Sequence, residues 1–292
     1  MNISKWIKRN IPAQNGKTVA ISGATGGIGT QLTLHLASLG ANLVLLNRNE
    51  AKSRALIEKV NRTYHDIKCT HITMDLEDPD SVKNATAALA EIVPDTLILN
   101  AGAYAIPRHK CQTGFDNVFQ INFLSPYFLA SKLKPLMDAK GGKIVAVSSI
   151  AHNYSKINAN DVDFSTCKKS SFVYGNSKRF LTYTLHNLCK DDNNLAIVHP
   201  GITLTNITAH YPKIILRLIK WPMKIFFPSP KKAALCLLMG LAQNTPYGTW
   251  IGPKAFNVWG APTKKRLPKA SEEEIKSIVA LGNNALKVME NR

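Results

Sequence analysis

A tyrosine and a lysine four residues apart, Tyr174 and Lys178, follow the serine pair Ser148-Ser149 in an order that suits acid–base chemistry. Residues four apart on a helix share a face, so the lysine ammonium lies beside the phenol. At roughly 5 Å and an effective dielectric of about 20, their attraction is about 3 kcal/mol, which predicts a tyrosine pKa lowered by about two units. The phenol would then exchange a proton near neutral pH, and a neighbouring serine hydroxyl would hold a carbonyl or alcohol oxygen.

Six short β-branched or leucine-rich runs alternate with helical patterns and would position these side chains. They span residues 18–22, 41–47, 68–74, 95–100, 143–149 and 195–200. Continuous apolar strands that alternate with helices are typical of a parallel sheet covered on both faces. The sequence therefore predicts a doubly wound α/β fold as a single domain over 1–292, with its ligand site at the carboxyl ends of the strands.

The first strand runs directly into a glycine-rich turn, Ser22-Gly23-Ala24-Thr25-Gly26-Gly27-Ile28-Gly29, and then into a helical pattern. Glycines there let the backbone turn tightly, approach a pyrophosphate closely and present helix N-terminal amides to its charge. At the first strand–helix junction, such a turn predicts a dinucleotide site of the Rossmann type. The expected cofactor-binding residues of the turn are Gly23, Thr25, Gly27, Ile28 and Gly29.

The second predicted strand ends at Asn47 and Arg48, where proteins that bind NAD in this way normally carry a carboxylate for the ribose hydroxyls. Arg48 instead offers a charge-assisted contact to a 2′-phosphate. The sequence therefore favours NADP(H) over NAD(H), with Asn47 and Arg48 among the contacts. A solvated surface arginine is the alternative interpretation.

Taken in order along the chain, these motifs resemble those of the short-chain dehydrogenase/reductase family, and more narrowly its retinol dehydrogenase and WW-domain oxidoreductase branch. The resemblance covers about residues 16–205, and the long interval from Ser149 to Tyr174 indicates the branch. It rests on the glycine turn, Asp75-Leu76, Asn100-Ala101-Gly102, Asn122, Ser148-Ser149, Tyr174 to Lys178 and Pro200-Gly201. It implies hydride transfer between NADP(H) and a carbonyl or alcohol, on lipophilic substrates in this branch.

The resemblance also implies individual roles. Tyr174 would be the acid–base catalyst, and Ser149 rather than Ser148 would hold the reacting oxygen. Lys178 would also bind the nicotinamide ribose, and Asn122, in a helix predicted from Gly114 to Leu129, would position a water that relays protons to it. The further cofactor contacts that the resemblance implies are Asp75, Leu76, Asn100, Ala101, Gly102, Pro200, Gly201 and Thr205. Ser22 departs from the family, which more often has threonine there.

A second Tyr-x-x-x-Lys match runs from Tyr64 to Lys68. It comes just before the third predicted strand, on the side of the sheet away from the cofactor, and no strand ending in serine precedes it. We interpret it as a chance match.

The chain carries 37 lysines and arginines against 19 acids, a net charge of +18. No acid occurs in the first 49 residues or between Asp192 and Glu272, which indicates an anionic partner, with general solubility as the alternative. The five cysteines lack metal-type spacing, so we expect no metal and a reducing compartment. Since neither a signal-peptide core nor a spanning apolar run is present, we expect a cytoplasmic protein, either soluble or bound to a membrane surface.

A basic apolar segment follows the sixth strand. Lys213, Arg217, Lys220 and Lys224 recur at helical spacing and fall on one face. The resemblance implies a small helical substrate lid over about 206–230. The stretch 213–232 also suits peripheral contact with an anionic membrane. Helices are predicted from about Pro230 to Leu241 and over 271–292.

Two other functions fit parts of the sequence. An extended-type relative that isomerises or dehydrates a nucleotide sugar shares the spacing of Gly23, Gly26 and Gly29, although the Asn-Ala-Gly triplet favours the shorter dehydrogenases. A non-catalytic NADP-binding regulator would have no need of the intact Ser149, Tyr174 and Lys178. Nucleic-acid binding is disfavoured because the basic stretch lacks a recognisable motif. We expect a small-molecule alcohol or carbonyl as the partner, and an oligomer is compatible with the sequence.

Overall fold

An eight-stranded sheet runs through the computed structural model, which describes residues 2–191, 194–202, 228–267 and 270–292. The strand order is β3-β2-β1-β4-β5-β6-β7-β8. The strands are β1 (Thr18–Ser22), β2 (Asn42–Asn47), β3 (Cys69–Thr73), β4 (Thr96–Leu99), β5 (Lys143–Val147), β6 (Leu195–Val198), β7 (Thr249–Ala255) and β8 (Trp259–Arg266). All pairings are parallel except β7 with β8. The predicted doubly wound, Rossmann-type sheet in one domain is confirmed.

Helices cover both faces of this sheet. They are α1 (Ile3–Asn10), α2 (Gly27–Ser38), α3 (Glu50–Asn61), α4 (Pro79–Ile92), α5 (Asn117–Phe119), α6 (Ser125–Asp138), α7 (Ser170–Leu188), α8 (Pro230–Ala242) and α9 (Glu272–Glu290). One core cluster packs α4, α5, α6, α7 and α9 against the sheet, and a second packs α1, α2, α3 and α8 against the opposite face. Strands β4 and β6 are consequently buried along their whole length, which explains their uninterrupted apolar sequence.

The β7–β8 hairpin was not predicted. Both strands contain a proline, Pro253 and Pro262, and the pairing is irregular between Pro253 and Ala255. Prolines in a sheet are confined to edges and bulges, and here β8 forms the edge of the sheet. The hairpin extends the predicted six-stranded sheet by two strands.

The helix predicted from Gly114 to Leu129 has different limits. Gly114 adopts a positive φ of 83°, and Asp116 caps α5 by accepting a hydrogen bond from the Val118 amide at 3.0 Å. The helix therefore starts three residues later than predicted. It continues through a π-helical turn, Gln120–Leu124, into α6 and ends at Asp138.

Within the described ranges, no helix is both long and apolar enough to cross a membrane. The predicted lid falls almost entirely on residues 203–227, outside the described part of the chain, as do Thr205 and the four spaced cations. At the end of the basic stretch, Lys231 and Lys232 are exposed in the first turn of α8.

Candidate active site and cofactor cleft

A cleft of about 590 Å³ opens at the carboxyl ends of β1, β2 and β4. In a doubly wound sheet, the point between β1 and β4 is where the strand order reverses and where ligands bind. Most of the predicted cofactor contacts line this cleft together: Gly23, Thr25, Gly27, Ile28, Gly29, Asn47, Arg48, Asp75, Leu76, Asn100, Ala101 and Gly102. Tyr174, Lys178, Pro200 and Gly201 are not among its lining residues.

The glycine turn is packed too closely to accept side chains. Gly23 has a positive φ of 66°, and a Cβ there would lie 2.9 Å from the Ala101 Cα. A Cβ on Gly29 would lie 2.2 Å from the Gly23 carbonyl oxygen. Because only glycine permits this approach, the backbone amides at the start of α2 face the cleft without side chains in the way.

Ser22 and Asn100 brace the turn from behind. The Asn100 amide donates to the carbonyls of Ser22 and Gly23 at 3.0 and 3.1 Å. The Ser22 hydroxyl accepts from the backbone amides of Asn100 and Ala101 at 3.0 and 3.1 Å. The Asn100 side chain thus holds the backbone of the glycine turn in place. Ser22, which departs from the family pattern, does the same from the end of β1.

Asn47 is buried, and its amide joins the glycine turn to α3. Its Oδ1 accepts from the Thr25 amide at 3.3 Å, and its Nδ2 donates to the Ser53 hydroxyl at 2.9 Å. Arg48 follows it and is exposed at the rim of the cleft, where Lys52 of α3 lies as a second exposed cation. The sequence analysis missed Lys52, since one charged residue on a solvated helix carries no distinguishing pattern.

Asp75 lies where β3 leads into α4, with its backbone held on both sides of the turn. Its amide donates to the Ser81 hydroxyl at 2.9 Å, and its Oδ1 accepts from the Glu77 amide at 3.0 Å. The carboxylate is therefore held in position beside the cleft.

Ser149, Tyr174 and Lys178 lie together at the edge of the cleft. Ser149 follows β5 and caps a short 3₁₀ helix, Ile150–Asn153, whereas the other two residues lie one turn apart on α7. The Ser149 side chain lies near the Tyr174 phenol and favours its charged form. The Lys178 ammonium lies 5.8 Å from the centre of the Tyr174 ring and donates to the Val147 carbonyl at 2.8 Å.

The neighbouring serine faces the other way. Ser148 is 2 % exposed, and its hydroxyl lies 2.6 Å from the hydroxyl of Thr182 on α7. The structure therefore places Ser149, and not Ser148, beside the phenol.

Asn122 lies in the π-helical turn and is completely buried. Its Nδ2 donates to the Ala103 carbonyl at 2.8 Å, and its Oδ1 accepts from the Ala103 amide at 2.9 Å. A Cβ on Gly102 would lie 2.9 Å from the Asn122 Oδ1 and 3.5 Å from the Lys178 Nζ. The Asn122 amide thus fixes the loop that covers Lys178, and the predicted water relay stays a prediction.

The predicted direction of the Tyr174 pKa is wrong for this structure. Tyr174 keeps part of its surface accessible, but burial of the phenol raises its pKa to about 12, and Tyr104 adds to the rise. The nearby Ser149 side chain lowers the Tyr174 pKa and only partly offsets this rise. Burial also lowers the pKa of Lys178 to about 7, so its positive charge is only partial at neutral pH. Loss of water around both groups outweighs the attraction that helical spacing alone suggested.

Two further side chains hold Ser149 and α7 in place and were missed. His152 is fully buried, and its Nδ1 bonds to the Ser149 carbonyl. Arg179 donates to the His152 carbonyl at 2.9 Å and makes a bidentate pair with Glu274 of α9 at 2.9 and 2.7 Å. Because Glu274 lies 95 residues from Arg179, no local spacing could have revealed this brace.

The tip of the β7–β8 hairpin adjoins the Pro200-Gly201 turn. The Asn257 carbonyl lies 3.1 Å from the His199 Nε2, and a Cβ on Gly201 would lie 3.2 Å from the Pro253 side chain. Two aromatic side chains project from this tip: Phe256 is 84 % exposed and Trp259 is 45 % exposed. Their rings pack edge-on, with the ring centres 6.3 Å apart. The hairpin thus presents apolar surface at the carboxyl ends of β6 and β7.

The second Tyr-x-x-x-Lys match lies elsewhere. Tyr64 and Lys68 line a separate hollow just before β3. That position is at the amino end of a strand, whereas Ser149 follows the carboxyl end of β5. The structure therefore separates this pair from the predicted site.

Residues 17–213 match the model of a family described as short chain dehydrogenase. The chain belongs to this family. Human polyprenol dehydrogenase is 26 % identical over 239 residues, which cover 76 % of this chain and 72 % of that protein. Mouse retinol dehydrogenase 12 is 31 % identical over 229 residues, covering 75 % and 71 %. The short-chain dehydrogenase is thus of the retinol dehydrogenase branch and an oxidoreductase acting on CH–OH groups.

A solved structure gives the same fold at lower identity. L-sorbose reductase from Gluconobacter frateurii, complexed with NADPH and L-sorbose, superposes with a TM-score of 0.60 at 19 % identity, covering 79 % of this chain and 90 % of that one. The predicted family, branch and fold are all confirmed by these comparisons.

Proposed function

We propose that this short-chain dehydrogenase interconverts a carbonyl and an alcohol on lipophilic substrates with NADP(H), using Tyr174 as its acid–base group. The observation that carries the proposal is the grouping of Ser149, Tyr174 and Lys178 beside a cleft built on the glycine turn, with the Lys178 ammonium 5.8 Å from the centre of the Tyr174 ring. A nicotinamide cofactor bound there supplies or accepts the hydride. The close-packed glycines, the amides opening α2 and the exposed Arg48 all suit a dinucleotide with an added phosphate.

In the reductive direction, Tyr174 donates its proton to the carbonyl oxygen. A phenol with a pKa of about 12 holds that proton across the physiological range, as a general acid must. The Ser149 hydroxyl donates a hydrogen bond to the same oxygen and stabilises the charge that develops on it. The protonated form of Lys178, beside the ring, stabilises the tyrosinate left behind.

A cofactor-oxidation assay tests this function directly. Purified protein is mixed with NADPH or NADH and with long-chain aldehydes, retinoids or steroid ketones, and loss of the reduced nicotinamide is followed together with alcohol formation. We expect turnover with NADPH on at least one lipophilic carbonyl, and slower turnover with NADH. Turnover of a nucleotide sugar, with none of the lipophilic carbonyls reduced, would replace this proposal with the extended-type alternative.

Arg48 and Lys52 underlie the proposed preference for NADP(H). Both cations are exposed at the rim of the cleft, and the structural neighbour L-sorbose reductase is complexed with NADPH. Replacing Arg48 with alanine should weaken NADPH binding about tenfold to a hundredfold, since a hydrogen bond to a charged group contributes about 1.5–3 kcal/mol. NADH binding should change little.

The affinity of each variant, Arg48→Ala, Lys52→Ala and Lys59→Ala, for NADPH and NADH is measured by fluorescence titration. The comparison separates the contributions of Arg48 and Lys52 to NADPH binding. Lys59 is exposed on the same helix but does not line the cleft, so its replacement is a matched control. Equal loss of NADPH and NADH affinity in Arg48→Ala would contradict the phosphate contact.

The lipophilic substrate class rests on the hairpin and on the relatives. Phe256 and Trp259 present aromatic surface beside the Pro200-Gly201 turn, and the related proteins are named for polyprenol and retinol. We expect Phe256→Ala with Trp259→Ala to raise KM for a long-chain aldehyde about tenfold, because contact with an aromatic side chain is worth about 1.5–3 kcal/mol. KM for a short-chain aldehyde should stay unchanged.

Tyr247→Ala serves as the control for this double variant. Tyr247 is 55 % exposed, like the two aromatic residues, but precedes β7 at the opposite end of the strand. An equal rise in KM for short and long aldehydes would show that the hairpin does not select chain length. Contact of the stretch 213–232 with an anionic membrane also stays a prediction, as does oligomerisation.

A further inference from the structure

Three side chains of different types meet at the rim of the cleft and take no part in the proposed reaction. The donor atoms of Glu77, His109 and Cys111 all lie within 4.8 Å of one another, and the Glu77 Oε2 is 3.0 Å from the His109 Nε2. Carboxylate, imidazole and thiolate together are a donor set typical of zinc sites. The sequence predicted no metal because Glu77 is remote in the chain and a single His-x-Cys pair has no recognised spacing.

The local backbone presents two of these side chains to the same side. Lys110, between His109 and Cys111, pairs with Asp116 in an antiparallel bridge, so the backbone there is extended. In extended backbone, residues two apart point to the same face. His109 and Cys111 therefore form one half of a site, and Glu77 closes it from the loop after β3.

The backbones that carry these donors are already fixed. The Cys111 amide donates to the Phe115 carbonyl at 2.8 Å, and the Asn117 amide donates to the His109 carbonyl at 3.0 Å. The Glu77 amide donates to the Asp75 carboxylate at 3.0 Å. A site whose backbone is held before the ion arrives loses little conformational entropy on binding.

The local charge also favours a cation. The carboxylates of Glu77, Asp75 and Asp116 lie near the Cys111 thiol. Arg108 pairs with Asp116 at 2.8 Å, whereas Glu77 has its described ion pair only with His109, whose side chain is 55 % exposed. The negative charge of these carboxylates therefore favours a divalent cation beside the thiol.

We propose that Glu77, His109 and Cys111 bind one zinc ion, with a solvent molecule as the fourth ligand. His109 would bind through Nε2, the ring nitrogen that lies 3.0 Å from the Glu77 Oε2. The cysteine loses its proton to solvent on binding. The site is independent of the catalytic group at Tyr174.

Cobalt provides a direct optical test. We expect full-length protein, reduced and without an affinity tag, to bind one Co²⁺ with a thiolate-to-cobalt charge-transfer band, and one equivalent of Zn²⁺ to displace it. Cys111→Ser should abolish the band, whereas Cys167→Ser, which alters another partly buried cysteine, should keep it. Glu77→Gln and His109→Ala should each weaken binding at least about tenfold.

A wild-type protein without the charge-transfer band, or a band that persists in Cys111→Ser, would overturn the proposal. Neither result bears on the oxidoreductase proposal, because the titration involves no turnover.

Discussion

Replacing Tyr174 with phenylalanine is expected to lower kcat about a thousandfold, within the range of about 10²–10⁴ that general acid–base groups contribute. The phenol lies near the Ser149 side chain, and phenylalanine keeps the ring that packs edge-on against Tyr104, with the ring centres 5.3 Å apart. NADPH affinity and thermal stability should therefore stay close to those of the wild type. Steady-state kinetics and cofactor titration on the same preparation measure both quantities.

The chain supplies a matched control for this substitution. Tyr64→Phe alters the other Tyr-x-x-x-Lys pair, which lies in a hollow before β3, and should leave kcat unchanged. Ser148→Ala and Ser149→Ala form a second matched pair, and only the latter should lower kcat. If Tyr174→Phe retained most of its activity, another group would have to be the proton donor.

Replacing Lys178 with methionine is expected to abolish activity and yet stabilise the cofactor-free protein by about 2 kcal/mol. The charge penalty removed at neutral pH is roughly 4 kcal/mol, and the lost hydrogen bond to the Val147 carbonyl offsets roughly 2 kcal/mol of it. Burial lowers the pKa of Lys178 to about 7 from its ordinary value of 10.5, so the folded chain carries this charge at a cost. Between these two pH values the unfolded chain binds more protons than the folded chain. The penalty therefore grows as the pH falls from about 10.5 to about 7 and is constant below that.

Urea unfolding at neutral pH and at about pH 9.5 measures this effect as a difference between wild type and variant. The stability gained by Lys178→Met should be larger at neutral pH. Lys143→Met is the control, because burial also lowers the pKa of Lys143, to about 8, in a residue far from the proposed chemistry. That variant should keep its activity. A Lys178→Met protein that is less stable than the wild type at neutral pH would show that the ammonium is stabilising in the folded state.

The central part of the fold was predictable because its signals are local and consistent. The six predicted strands coincide with β1 to β6 to within about two residues, since all but β3 are buried apolar runs between helices; β3, at the sheet edge, has no buried residue. β7 and β8 were not predictable in this way. They carry prolines, and β8 carries lysines on the edge of the sheet, so neither shows the apolar pattern of a buried strand.

The site residues likewise fall into those that local sequence patterns reveal and those that depend on the folded structure. Tyr174 and Lys178 were found because both lie on one helix, and the glycine turn because it joins β1 to α2. The brace from Arg179 to Glu274 depends on chain segments that meet only in the folded molecule. The direction of the Tyr174 pKa depends on burial, which helical spacing does not reveal.

A crystal structure of the full chain with NADP⁺ and an unreactive amide analogue of a long-chain aldehyde tests the central claim most directly. The account predicts that the amide oxygen accepts hydrogen bonds from both Tyr174 Oη and Ser149 Oγ, next to C4 of the nicotinamide. It also predicts that Arg48 contacts the 2′-phosphate. A nicotinamide bound away from α7, with Tyr174 and Ser149 touching neither the ring nor the analogue, would contradict it.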